Sequence, residues 1–93
     1  MLIRVRFYGD VKTYVGKRWT TIEIPDGSNV RHLIEALDGE VGADLSGKLL
    51  KGGWIGSLVR VLVNGKHIVH SNGLDTALRD GDLVVMMPVA GGG

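Results

Sequence analysis

The sequence contains no cysteine. That single absence removes disulfides, thiolate-bound metals, iron–sulfur clusters and a cysteine nucleophile. It also leaves no sign of an oxidising compartment. Aromatic residues are scarce, at 5%, so valine, leucine and isoleucine must build the core. No apolar run approaches the ~20 residues of a membrane span. The opening Met1-Leu2-Ile3-Arg4-Val5-Arg6 interrupts its apolar stretch with arginines, unlike a secretory signal. The expectation is a cytoplasmic chain with no membrane partner. A dominant charge is missing too: eleven basic residues meet ten acidic ones, for a net charge of +1. The basic stripe of a nucleic-acid binder is not there.

What remains fits one domain. The chain has 93 residues, 44% of them hydrophobic and 23% charged, enough for a single core and too few for two. Charge is nevertheless uneven. Residues 1–24 carry Arg4, Arg6, Lys12, Lys17 and Arg18 against Asp10 and Glu23, whereas residues 71–93 carry Arg79 against Asp75, Asp80 and Asp82.

Ile3, Val5 and Phe7 alternate with Arg4, Arg6 and Tyr8, the period of a half-buried strand. Thr20, Ile22 and Ile24 alternate likewise with Trp19, Thr21 and Glu23. The link between them, with room for one helical turn near residues 11–15, predicts an antiparallel pair. After the Pro25-Asp26-Gly27 turn, Val30, Leu33, Ile34 and Leu37 fall on one helical face. Ser28 or Asn29 can cap that helix, and Gly39 suits the left-handed position past its end. Burying those four side chains contributes roughly 1.5–3 kcal/mol each before entropy is counted. Leu45, Leu49 and Leu50 allow a short second helix stopped by Gly52-Gly53, and Trp54 with Ile55 is expected over an edge of the core.

Val59, Val61 and Val63 alternate with Leu58, Arg60 and Leu62 as a third strand. Asn64-Gly65 is a strong hairpin signal, returning through residues 66–70 as a fourth. Leu74, Ala77 and Leu78 suggest a helical turn before the Arg79-Asp80-Gly81-Asp82 turn. Residues 83–87 are unbroken apolar, as in a central strand buried on both faces or covered by a partner. Pro88 ends that strand, since it cannot donate a ladder hydrogen bond. The order predicts an α+β fold of β-grasp type. It has a mixed sheet of four to five strands, one main helix packed on one face, and the last strand parallel beside the first. Residues 1–88 form the domain and residues 89–93 a flexible glycine tail, since consecutive terminal glycines lose much entropy when ordered.

Glycine also lets backbone thread a narrow channel and leaves a terminal carboxylate open to attack an α-phosphate. Here the chain resembles a known family. Leu74-Asp75-Thr76-Ala77-Leu78-Arg79-Asp80-Gly81-Asp82, an apolar strand and then Met87-Pro88-Val89-Ala90-Gly91-Gly92 resemble the C-terminal signature of the MoaD/ThiS sulfur carriers. That ubiquitin-like family includes the small subunit of molybdopterin synthase and the thiamin sulfur carrier. Val63-Asn64-Gly65-Lys66 is similar to its hairpin, and residues 26–33 to its turn into the first helix. Where the family stops at Gly-Gly, often after Pro-Pro, this chain has one proline and a third glycine. Either Gly93 is the activated residue or it is trimmed to expose Gly92.

The resemblance implies a carrier without catalysis of its own. An E1-like adenylating enzyme would use ATP and magnesium to activate the carboxylate of Gly93 or Gly92, and a sulfur donor would convert it to a thiocarboxylate. No cofactor is implied on the carrier itself. The tail similarity favours molybdenum or tungsten cofactor synthesis over thiamin, with the molybdopterin synthase large subunit as second partner. Gly91 and Pro88 would lie in the partner's channel. A protein modifier that joins a lysine, a thiamin-pathway carrier and a non-catalytic β-grasp interaction module remain as alternatives.

Other constellations are weak. His67 and His70, three apart in an expected strand, would point to opposite faces and make a poor metal pair. His32 reads as a packing or surface histidine. Asp80 and Asp82 flank a turn glycine and suit turn chemistry. The outward strand positions Arg4, Arg6, Trp19, Arg60 and Leu62 form a candidate apolar and basic patch, a composition that suits a protein interface.

Overall fold

The computed structural model describes residues 1–50 and 59–88. The expectations placed on Gly52, Gly53, Trp54, Ile55, Leu58, Gly91, Gly92 and Gly93 lie outside the described residues. Strand β1 (Leu2–Phe7) alternates as its sequence requires: Ile3, Val5 and Phe7 are buried, while Leu2, Arg4 and Arg6 are exposed. Strand β2 (Trp19–Glu23) lies antiparallel to it, with Val5 opposite Thr20 and Arg6 opposite Trp19. The connection holds a two-turn helix, α1 (Gly9–Val15), which buries Val11 and Val15 and ends at left-handed Gly16.

Helix α2 (Val30–Val41) is the longest, and its Val30, Leu33, Ile34 and Leu37 are all buried. Its cap is Asn29, not Ser28. The Asn29 side chain accepts from the His32 N–H at 3.0 Å, and the His32 Nδ1 accepts from the Asn29 N–H at 3.1 Å. This is a capping box with imidazole in the place usual for Glu or Gln. Ser28 instead donates to the Pro25 carbonyl. The helix does not stop at Gly39 as expected. Val41 packs against the core and carries the helix a further turn, so the left-handed end falls on Gly42, at φ 69°. Helix α3 (Leu45–Leu50) follows and buries Leu45.

Strand β3 (Val59–Val63) turns at Asn64 and Gly65, both with positive φ, the geometry of a tight hairpin. The returning strand is shorter than expected. Strand β4 covers only Lys66–His67, and Ile68–His70 coils into a 3-10 turn. The His67 Nδ1 accepts from the Val69 N–H at 3.0 Å, drawing the chain off the ladder and burying Ile68. A second 3-10 turn, Gly73–Asp75, supplies the helical turn expected at Leu74, but Ala77 and Leu78 lie outside it. Ala77 then bridges Asn29, and Leu78 is buried.

Strand β5 (Leu83–Pro88) enters the middle of the sheet, whose order is β2-β1-β5-β3-β4. It runs parallel to β1 and antiparallel to β3. This is the mixed five-stranded β-grasp arrangement. β5 is central, but it is not buried on both faces. Val84 and Met86 are fully buried under the helices, whereas Leu83, Val85 and Met87 on the other side are only half-buried. Residues from the sheet and all three helices form one core cluster with Phe7, Leu37 and Met86 among its fully buried members.

Candidate functional site

Strand pairing turns the outward side chains into one surface. In the parallel pair β1–β5, Arg4 is level with Leu83 and Arg6 with Val85. In β5–β3, Val85 is level with Leu62 and Met87 with Arg60. A single row therefore crosses the sheet as Trp19, Arg6, Val85, Leu62 and His67, with neighbours roughly 4.8 Å apart in strand spacing. The face has an apolar centre of Leu62, Leu83, Val85 and Met87, with Arg4, Arg6 and Arg60 set around it. Trp19, at 64% exposure, stands at one edge. Aromatic, methionine and arginine side chains with few acids make the composition favoured at the core of protein interfaces. A shallow concavity of about 260 Å³ opens among Arg4, Arg6, Trp19, Thr21 and Leu83.

Hydrogen bonds hold this face in register at one end. Arg4 donates to the Gly81 carbonyl at 3.2 Å, and Asp80 accepts from the Leu2 N–H at 2.7 Å. Asn64 accepts from the Leu83 N–H at 2.9 Å and donates to Asp82 at 2.8 Å. Asp80 and Asp82 thus serve backbone geometry, tying the turn before β5 to β1 and to the β3–β4 hairpin. Arg6 and Arg60 make no ion pair among the described residues.

Of the expected partner-contacting residues, Arg4, Arg6, Arg60 and Leu62 share this face. Pro88 does not. It has the parity of Val84 and Met86, and its ring packs on the other side of the sheet against Gly9. A Cβ placed on Gly9 would lie 2.6 Å from the Pro88 Cγ, and Gly9 has φ +58°. Glycine is therefore suited to that position on two grounds. The contact places the end of β5 beside the junction of β1 and α1.

Sequence reasoning left Leu83, Val85 and Met87 out of the patch. Their continuous apolar run carried no parity of its own, and only pairing with β1 and β3 assigns alternate members to the outer face. The histidine reading also changes. The 3-10 turn brings the rings of His67 and His70 to 6.2 Å in edge contact rather than to opposite faces. No group of three metal-ligating side chains occurs among the described residues. None of their helices is long and apolar enough to cross a membrane.

Similarity to known proteins accords with this geometry. The chain is 37% identical over 93 residues to small archaeal modifier protein 3 of Haloferax volcanii, covering 99% of this chain and all of that one. A solution structure of a Haloferax volcanii protein superposes with a TM-score of 0.79 at 33% identity, covering 100% of this chain and 87% of that one. Molybdopterin-converting factor from Helicobacter pylori, solved as a complex of its subunits 1 and 2, contains a chain similar at 25% identity. Its TM-score is 0.60, with full coverage of both chains. The profile of the ThiS family matches residues 5–93, through the terminal glycines. With a ubiquitin-like sheet, a match over nearly its whole length and a modifier protein among its relatives, this chain belongs to the ThiS family.

Proposed function

We propose that the chain is a carrier whose terminal glycine carboxylate is activated by a partner and then passed to a nucleophile. The observation that carries this reading is the family match, which extends to Gly93. One carboxylate oxygen of the terminal glycine attacks the α-phosphate of ATP bound with magnesium by an E1-like adenylating enzyme, and pyrophosphate leaves. The acyl adenylate then reacts with hydrosulfide, which gives up its proton to solvent. A carbon–sulfur bond forms, AMP leaves, and the product is a thiocarboxylate. The carrier supplies no catalytic group. Its domain presents the tail, and the outer face with Arg4, Arg6, Arg60 and Leu62 docks the enzyme. Gly91 and the residues after Pro88 enter the enzyme's channel. The thiocarboxylate then serves as a soft nucleophile for sulfur insertion, with molybdenum or tungsten cofactor synthesis the favoured destination.

A second use of the same adenylate is favoured by the full-length similarity to a modifier protein. Attack by a lysine amine in place of sulfur releases AMP and leaves an isopeptide bond. Both outcomes need the same terminus, and one experiment separates them. Full-length protein is incubated with the cognate adenylating enzyme, ATP, magnesium and sulfide, and its intact mass is measured. Exchange of one oxygen for sulfur at the last glycine supports the sulfur carrier. Isopeptide adducts formed without that exchange support the modifier. Removing Gly92 and Gly93 should abolish either product, because the carboxylate retracts by roughly 7 Å of extended chain and loses the ~3–3.5 Å approach that reaction needs. Removal of Gly93 alone identifies the working terminus. If the full-length chain and both truncated forms all stay unmodified, the proposal is overturned.

A further inference from the structure

Next to the outer face, and sharing Arg6 and Trp19 with it, lies a charged feature whose Lys12 and Arg18 have no role so far. At the end of the sheet where β5 gives way to residues 89–93, Arg6, Phe7, Tyr8, Lys12, Arg18 and Trp19 line a concavity of about 440 Å³. The strand ends place it beside the root of the tail. The Tyr8 N–H donates to the Met86 carbonyl at 3.0 Å, and the Phe7 N–H donates to the Arg18 carbonyl at 2.8 Å. Gly9, the next residue, meets the Pro88 ring. Three of the six lining residues are cationic and none is acidic, and Lys17, next to Arg18 in the chain, is exposed. Among the described residues Arg6, Lys12, Lys17 and Arg18 make no ion pair. The chain's net charge is +1, so this concentration is local. Tyr8 and Trp19 are 46% and 64% exposed, large amphipathic surfaces in a chain with few aromatics.

We infer that this basic, aromatic-walled concavity is a second docking site, which takes an acidic segment of a protein partner and engages it before the tail is threaded. Charge complementarity selects the occupant. Unpaired cations facing one opening raise the local concentration of acidic groups and accelerate encounter, with an effect that salt screens. The apolar outer face instead governs how long the complex lasts. Position at the tail root gives encounter a consequence, since an acidic segment meeting it in the encounter complex brings the last strand's end to the enzyme's mouth before the outer face docks. The inference rests on the proposal that a partner activates the tail. It deepens that proposal by assigning the first contact to Arg6, Lys12 and Arg18.

Two measurements test it. First, the isotope-labelled full-length chain is titrated with a hexaglutamate peptide and followed by NMR. Shifts should concentrate at Arg6, Tyr8, Lys12, Arg18 and the Trp19 indole N–H, and K12E/R18E should erase them. Shifts spread evenly over all lysines and arginines would overturn the site. A duplex oligonucleotide that moves the same signals at lower concentration would overturn the assignment to an acidic protein. Second, association with the adenylating enzyme is timed across a salt series. K12E/R18E should bind about tenfold or more slowly at low salt and converge on wild type at high salt. Its dissociation rate and its yield of modified terminus at saturating enzyme should not change. Equal association rates for variant and wild type would remove this docking role while leaving tail activation intact. A wild-type chain that takes up hexaglutamate here but is never activated by the enzyme would instead defeat the functional reading, and with it the partner named for this site.

Discussion

At residue scale, Asn64 has the most concentrated role. Its φ of 50° belongs to the hairpin turn, and its side chain bonds both Asp82 and the Leu83 N–H. Replacing Asn64 with alanine should lower stability by about 1–3 kcal/mol, measured by urea denaturation. Asn64→Gly keeps the turn and loses only the side-chain bonds, so it should fall between alanine and wild type. The turn itself was legible in the sequence, because Asn-Gly states a local backbone preference. The hydrogen bonds were not, since their partners lie 18 and 19 residues away and no local pattern encodes them. The same holds for His32, whose capping role needs a nitrogen acceptor where carboxylate or amide is usual.

At the scale of elements, the two glycines of α2 give opposite expectations. Gly39 lies inside the helix with nothing within 4 Å of where an alanine methyl would stand, whereas Gly42 ends it at φ 69°. Gly39→Ala should therefore stabilise the protein by about 0.5–1 kcal/mol. Gly42→Ala should destabilise it by about 1–2 kcal/mol, the cost of a left-handed alanine. Thermal melts of both variants check the pair, and equal signs would contradict the helix boundary. Periodicity identified α2 from Val30, Leu33, Ile34 and Leu37, but its end depended on Val41 reaching the core. That contact belongs to tertiary structure. Strand β4 was shortened for a similar reason, since the His67 ring and the burial of Ile68 outweigh a sequence that could continue as strand.

For the whole molecule, the sheet and the tail should be separable. Removing residues 91–93 takes away no side chain that could be buried, so the melting temperature should move by no more than about 3 °C even where activation is lost. A larger fall would make the tail structural. Reversing Arg4 and Arg60 to glutamate should weaken binding to the adenylating enzyme without loss of fold, measured by calorimetry alongside circular dichroism; unchanged affinity would return the outer face to ordinary surface. The fold class and this face's arginines were readable from alternation within single strands. Its apolar centre emerged only when β5 took its place between β1 and β3.

That placement has a consequence for biosynthesis. The strand that completes the sheet is the last strand described, and β1 has no partner on that side until β5 arrives. A nascent chain halted before residue 83 lacks the middle of its sheet and exposes both Val5 and Val61 edges. Such a chain should be a substrate for proteolysis rather than a competitor for the partner. Completion of the sheet is thus tied to synthesis of residues 83–88, so a folded molecule is one whose β5 has been made.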